Sequence, residues 1–318
     1  MLGVFLDSAS LDLGDIDFSD LNSSLAEIRH YSTTTSEQIV ERIADAELVI
    51  SNKVVLNAAA LAAAPRLRLV CVAATGTNNV DLKTATGLGI TVCNCQGYST
   101  PSVVQHTFAL MLALTLRLCD YHQAVAENRW QTAKQFCLLD FPIRELAGKT
   151  LGIVGYGELG RSVARIAEAF GMRVLIAQRP DTLEPEEGRI PLPALLPQVD
   201  ILTLHCPLTP ETRGLIGAWE LALMRRDAVL INTARGGIVD EIALAEALRH
   251  NALGGAGVDV LTEEPPVHGN PLLAGDVPNL IVTPHCAWGS RESRQRLVGQ
   301  LVENIRGFLA GRPLRVVA

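Results

Sequence analysis

TLGIVGYGELGRSVARIAEAF, residues 150–170, is the stretch from which the fold can be read. It starts with a short apolar run, turns through three glycines and continues with apolar residues at helical spacing, which predicts strand, tight turn and helix. Gly155 permits the turn, Gly157 lets backbone N–H groups come close to an anion, and Gly160 allows the helix to lie close on the strand. Glu158 and Leu159 fill the pattern between them. A glycine pattern alone is weak, but one preceded by a strand and followed by a helix predicts a phosphate-binding turn. There the positive end of the helix faces a dinucleotide pyrophosphate. An adenosylmethionine site would use a similar loop.

Outward from this turn, short apolar runs alternate with helical patterns over most of the chain. Runs at 3–7, 48–51, 67–74, 90–94, 150–155, 173–177, 200–206, 228–234, 255–260 and 280–284 are continuously apolar, as strands covered on both faces of a parallel sheet are. Residues 36–46, 159–170 and 240–250 read as helices, as do one long stretch from Pro101 to about Asn128 and a last one within 290–309. The alternation predicts a doubly wound α/β protein. Ten strands are too many for one comfortable sheet, and the turn residues GYSTP, 97–101, mark a break.

Composition narrows the function classes. The 318 residues are 48% hydrophobic and 19% charged, with a net charge of −7. This is globular composition without the basic face that nucleic acid requires. The seven cysteines are scattered and stand mostly in apolar runs, which predicts buried free thiols in a reducing cytoplasm. Cys93-Asn94-Cys95 lacks a second ligand pair, so no metal is expected. The apolar run from Val103 to Leu118 is too short and too polar for a membrane span, and MLGVFLDSAS lacks the features of a signal peptide.

Three strand ends downstream carry charge. Arg235 follows INTA (231–234), Glu264 follows VDVLTE (258–263), and His285 follows IVTP (281–284). Singly, each has an ordinary structural use: a turn cap, a solvated acid, a core histidine. Ligands bind open α/β sheets at the carboxyl ends of strands, so all three are expected on one rim. They suit hydride transfer to a 2-oxo acid. His285 would protonate the new alkoxide, and Glu264 would orient the ring and favour the imidazolium. Arg235 would grip carboxylate and carbonyl with its rigid fork.

At this point the sequence resembles the D-2-hydroxyacid dehydrogenase family, on VAATGTNNVDL (72–82), VVQHTFALMLAL (103–114), GKTLGIVGYGELG (148–160), LHCPLTPETRGLIG (204–217), INTARGGIVDE (231–241), GVDVLTEEP (257–265) and TPHCAW (283–288). The resemblance covers essentially the whole chain and is closest to glycerate dehydrogenases, also called hydroxypyruvate reductases. It implies two Rossmann-like doubly wound domains with parallel sheets and an active site in the cleft between them. With the turn signals, it divides the chain into a substrate domain, 1–99 plus 289–318, and an inserted dinucleotide domain, 100–288. It makes Arg235, Glu264 and His285 the catalytic trio and gives Asp259 a contact to the nicotinamide amide. Thr107, Cys206, Pro207, Thr212, Thr233 and Ala234 become cofactor contacts, and Ala74, Thr75 and Gly76 hold the substrate carboxylate through backbone N–H groups.

The resemblance also implies a cytoplasmic homodimer formed through the dinucleotide domain. Thr75 stands where phosphite dehydrogenases carry Lys, and Glu264 where formate dehydrogenases carry Gln, which disfavours both. A cofactor-sensing corepressor would keep the same trio and is the competing class. Lys53 is either a cleft cation or a solvated lysine, and Trp288 a pocket wall or interdomain packing.

RVLIAQRP, residues 173–180, bears on the cofactor. An Asp or Glu about 20 residues beyond the glycine turn ordinarily holds the ribose of NAD. Gln178 occupies that place, followed by Arg179. Loss of the acid removes repulsion of a 2′-phosphate and Arg179 can pair with it, so NADP(H) is expected to be preferred and NAD(H) tolerated.

Overall fold

The computed structural model describes residues 1–180, 182 and 187–318. It divides into two compact units, residues 1–101 with 288–318, and residues 102–287.

The first unit is built on five parallel strands: β1 (Leu2–Phe5), β2 (Glu27–His30), β3 (Leu48–Ser51), β4 (Leu69–Val72) and β5 (Thr91–Cys93), in the order β2-β1-β3-β4-β5. β3 and β4 are buried at every residue, as strands covered on both faces must be. One face packs on Val49, Leu56, Leu61 and Val70. The other packs on Leu48, Ile50 and Leu69 together with Leu297, Leu301 and Ile305 of the C-terminal helix, Arg291–Leu309. The apolar runs do not predict β2. Its sequence, EIRH, lies at the sheet edge with three of four side chains exposed, so it has no apolar run to betray it. The expected helix over 36–46 is a 3-10 turn, Ser36–Gln38, leading into Ile39–Ile43.

The second unit holds six parallel strands: β6 (Thr150–Val154), β7 (Arg173–Ile176), β8 (Ile201–Leu204), β9 (Val229–Asn232), β10 (Gly255–Val258) and β11 (Leu280–Val282), in the order β11-β10-β9-β8-β6-β7. The chain leaves β6 first for β7 on one side and then for β8 on the other. That reversal opens a crevice at the carboxyl ends of β6, β7 and β8.

Three helices of this part of the chain matter below: α1 (Thr100–Thr115), α2 (Leu118–Ala126) and α3 (Glu158–Ala169). α1 and α2 replace the single long helix expected from Pro101 to Asn128. The ladder breaks at Arg117, which takes the left-handed conformation (φ 54°), and the two axes differ by 60°. No single helix among the described residues is long and apolar enough to cross a membrane.

Candidate active site

The crevice at the reversal of strand order is a cleft of about 450 Å³. Of the expected cofactor residues, Gly155, Gly157, Gln178, Arg179, Cys206, Pro207 and Thr212 line it. Gly155 adopts φ +91°, and a Cβ there would lie 2.5 Å from the backbone N of Cys206, so only glycine allows this turn against the end of β8. A Cβ on Gly160 would lie 2.2 Å from Gly155 O, so this glycine sets the close approach of α3 to the turn. Gly157 is different. It precedes the first residue of α3, contributes no capping side chain to the helix N–H groups, and a Cβ on it would meet nothing within 4 Å.

The cradle therefore offers helix N–H donors and open space beside them, which fits a pyrophosphate. Glu158 and Leu159 form the first turn of α3 and are not part of the cleft wall. The two glycines separate in their expected effects. Gly160→Ala forces a backbone clash and should cost about 1–3 kcal/mol or more, read in thermal or urea unfolding. Gly157→Ala should stay within about 1 kcal/mol of the parent in unfolding yet lose dinucleotide affinity at least tenfold in a binding titration. Unchanged affinity would remove Gly157 from the site.

The rest of the wall is held by local bonds. Thr212 Oγ1 accepts from Thr209 N–H at 2.7 Å and donates to Pro207 O at 2.7 Å, fastening the loop after β8. Cys206 is a buried thiol whose pKa burial pushes up to about 11. The His205 ring beside it is drawn out of water, and burial pulls its pKa down to about 4, so the ring is neutral at pH 7. The His205 ring shares a bond with the Thr203 hydroxyl through Nε2, and its Nδ1 has no partner. Sequence reading did not single out Arg161, Arg189, His205 or Glu211, which line the same cleft. Arg161 was findable, since it follows the last glycine on the first turn of α3. Arg189 was not, since nothing in GRIPLP ties it to β7.

The charged trio gathers along the carboxyl ends of β9, β10 and β11. Asn232 builds the Arg235 turn: its Oδ1 accepts from Ala234 N–H at 3.0 Å and its Nδ2 donates to Arg235 O at 3.0 Å. A Cβ on Gly236 would stand 1.9 Å from Leu261 O, so glycine lets this turn lie against the loop that carries Glu264. Glu264 Oε1 accepts from Leu261 N–H at 2.9 Å, while Oε2 lies 2.6 Å from His285 Nδ1. An ionised carboxylate only accepts, so Nδ1 carries the hydrogen and Nε2 is the ring nitrogen that can exchange a proton. The two side chains are 27% and 33% exposed, open enough to meet a small molecule.

His285 itself sits in the left-handed region, φ 51°, which is strained for a side-chain-bearing residue. Asp259 over-determines that conformation. Its carbonyl accepts from His285 N–H at 2.7 Å, and its buried carboxylate accepts from Cys286 N–H at 3.0 Å and Ala287 N–H at 2.9 Å. Thr283 Oγ1 donates to the same carboxylate at 2.6 Å and so must accept from His106 Nε2, 2.9 Å away. In this structure Asp259 thus anchors the histidine loop. Thr107 and Thr233 are buried and joined hydroxyl to hydroxyl at 3.0 Å. With Ala234 they lie outside the wall of the cleft.

His106, Asp259 and Cys286 are the group among the described residues close enough to hold an ion, and the Thr283 hydroxyl and backbone N–H groups already bind the carboxylate. The expectation that the cysteines are buried needs correction: Cys71, Cys93, Cys95 and Cys206 are buried, but Cys119 and Cys286 are exposed because their loop and helix-end positions face solvent.

In the first unit, the Ala74–Gly76 segment follows β4. Ala74 O accepts from Cys95 N–H at 3.0 Å and Thr75 O from Asn94 Nδ2 at 2.8 Å, which turns these carbonyls into the protein. Lys53 is exposed, its backbone N–H bound to Asp7 at 2.7 Å. Trp288 packs on the core of its own unit, edge-on to Tyr98 with ring centres 6.5 Å apart.

Known proteins match this chain over its length. Residues 108–287 match the family model described as D-isomer specific 2-hydroxyacid dehydrogenase, NAD binding domain. A glycerate dehydrogenase of Methylorubrum extorquens is 48% identical over 99% of this chain and 98% of its own. A hydroxypyruvate reductase of Blautia hydrogenotrophica is 39% identical over 99% and 98%. Among solved structures, the TT0316 protein of Thermus thermophilus superposes with a TM-score of 0.87 at 33% identity, covering 100% of both chains. With a glycine cradle at the strand-order reversal and an Arg, Glu and His rim beside it, the chain belongs to the D-isomer specific 2-hydroxyacid dehydrogenase family.

Proposed function

We propose that this chain reduces hydroxypyruvate or glyoxylate to D-glycerate or glycolate, with NADP(H) preferred and NAD(H) tolerated. The observation that carries the reading is the 2.6 Å bond between His285 Nδ1 and Glu264, on the same rim as Arg235. The names of the two relatives above support the substrate class.

The nicotinamide, when bound, supplies the hydride to the 2-oxo carbon. Everything else falls to side chains. Arg235 binds the carboxylate and the carbonyl oxygen, where negative charge grows as the alkoxide forms. His285 gives that oxygen its proton from Nε2 and takes it back in the reverse reaction. Glu264 fixes the ring through Nδ1 and offsets the positive charge it carries before transfer. Asp259 holds the loop at its strained φ; a nicotinamide contact by the same residue remains part of the reading. The N–H groups of Ala74, Thr75 and Gly76 are assigned to the substrate carboxylate, which the inward use of the Ala74 and Thr75 carbonyls supports.

Specific activities with hydroxypyruvate, glyoxylate and pyruvate, each against NADPH and NADH, test the reading. Hydroxypyruvate or glyoxylate with NADPH should give the largest kcat/KM. Absence of turnover with every pair would support the cofactor-sensing class instead.

A homodimer in the cytoplasm completes the proposal. α2 and the segment after it leave Leu118, Trp130, Phe136, Leu139 and Ile143 exposed, apolar side chains that a second copy would cover in this reading. A solution mass near 34 kDa, that of one chain, would refute the dimer.

A further inference from the structure

We infer that Arg189 is a second anchor for the 2′-phosphate of NADP(H), placed there by an extra rung at the end of β7. This rests on the cofactor reading above and names a residue that the glycine pattern does not reach.

β7 ends at Ile176, yet the pairing continues. Ile190 N–H donates to Ile176 O at 2.9 Å, Gln178 N–H donates to Ile190 O at 2.8 Å, and Ala177 and Ile190 form a parallel bridge. Residues 189–190 are thus tied to the sheet edge beside Ala177 and Gln178, and the tie uses backbone groups alone. Arg189 stands on this rung. Its Nη1 lies 3.4 Å from Ala177 O, one residue before the position where an NAD-type acid would hold the ribose. Gln178, Arg179 and Arg189 all line the same cleft.

Charge points the same way. Three arginines, Arg161, Arg179 and Arg189, line the cleft, and Glu211 is the one carboxylate among its described lining residues. Two of the three, Arg179 and Arg189, stand at the Gln178 end, and guanidinium is the group that meets phosphate oxygens with paired N–H bonds. Arg161 stands at the other end of the wall, its Nη1 on Tyr156 O at 3.2 Å near the start of α3. The pyrophosphate belongs at that end and the ribose at the Gln178 end, so Arg189 serves the ribose side. A guanidinium there can meet phosphate oxygens with two parallel N–H bonds, which a lysine cannot.

The test is equilibrium binding, read by calorimetry, of NADP+, NAD+ and 2′,5′-ADP to the parent, Arg189→Ala and Arg189→Lys. For Arg189→Ala, affinity for NADP+ and 2′,5′-ADP should fall about tenfold or more, and the preference for NADP+ over NAD+ should fall by a similar factor. Arg189→Lys should recover part of the loss, and raised salt should narrow the gap between parent and variant. Equal weakening of NADP+ and NAD+ would mean that Arg189 only supports the turn, and no weakening would mean that it does not reach the ligand. Either overturns the inference while the cofactor reading stands. A parent protein that binds NAD+ as tightly as NADP+ overturns the cofactor reading itself.

Discussion

Replacing His285 with alanine should lower kcat by about 10²–10⁴-fold, the range a positioned general acid contributes, while NADP+ affinity stays within about twofold. The His285 ring is bound to Glu264, which is itself fixed to Leu261 N–H by its other oxygen, so the carboxylate keeps its place when the ring is removed. His285 is not part of the wall that holds the glycine turn and Gln178, so the pyrophosphate and ribose end of the dinucleotide keeps its contacts. Arg235→Ala should act on the other parameter. Arg235 is exposed and Nη1 is bound to the adjacent Ala234 O, so most of its donors face outward from the turn.

Losing a charge-assisted pair with a carboxylate costs about 1.5–3 kcal/mol. KM should therefore rise about 10- to 100-fold, with a further loss in kcat where the same group steadies the alkoxide. Arg235→Lys should recover little, because it restores charge without the fork. Stopped-flow and steady-state kinetics with hydroxypyruvate separate the two effects. A His285→Ala enzyme with full turnover would falsify the proton-transfer role.

Much of the fold and of the site is legible in the sequence, for physical reasons specific to each part. The parallel strands show in sequence because burial on both faces forces continuous apolar runs, as in LGIV and LVCV. The glycine turn shows because Gly155 and Gly160 are demanded by contacts of 2.5 and 2.2 Å that no other residue could make. The trio shows because strand ends are where a sheet presents chemistry. What stayed hidden depends on partners far away in the chain. β2 is polar because it is an edge strand, so its pairing with β1 leaves no pattern. The break between α1 and α2 rests on one left-handed Arg117, where no glycine or proline announces it. Asp7, buried and receiving the N–H groups of Asn52, Lys53 and Val54, reads only as the end of an apolar run. Asn232 and Arg189 act through neighbours that the fold, not the spacing, supplies.

Gln178→Asp should move cofactor preference from NADPH toward NADH by about 100-fold. A new carboxylate about 5 Å from a 2′-phosphate raises the energy of that complex by about 2–3 kcal/mol at the effective dielectric of a partly exposed cleft, and the same carboxylate accepts from the ribose hydroxyls of NADH. The substitution should not unmake the turn. The Gln178 backbone N–H still reaches Ile190 O at 2.8 Å and Thr182 N–H still reaches Arg179 O at 3.2 Å. The side-chain bond from Nε2 to Thr182 O, 2.8 Å in the parent, is lost. A part-buried neutral hydrogen bond of this kind contributes about 1 kcal/mol, so unfolding should shift by about that amount. The measurement is kcat/KM for both reduced cofactors at saturating hydroxypyruvate. Electrostatics of this origin should weaken with salt, so the parent's preference for NADPH should shrink between low and high ionic strength and the variant's should hardly change. An unchanged NADPH-to-NADH ratio in a folded Gln178→Asp enzyme would mean that discrimination lies with the cationic wall of the cleft and not with this turn.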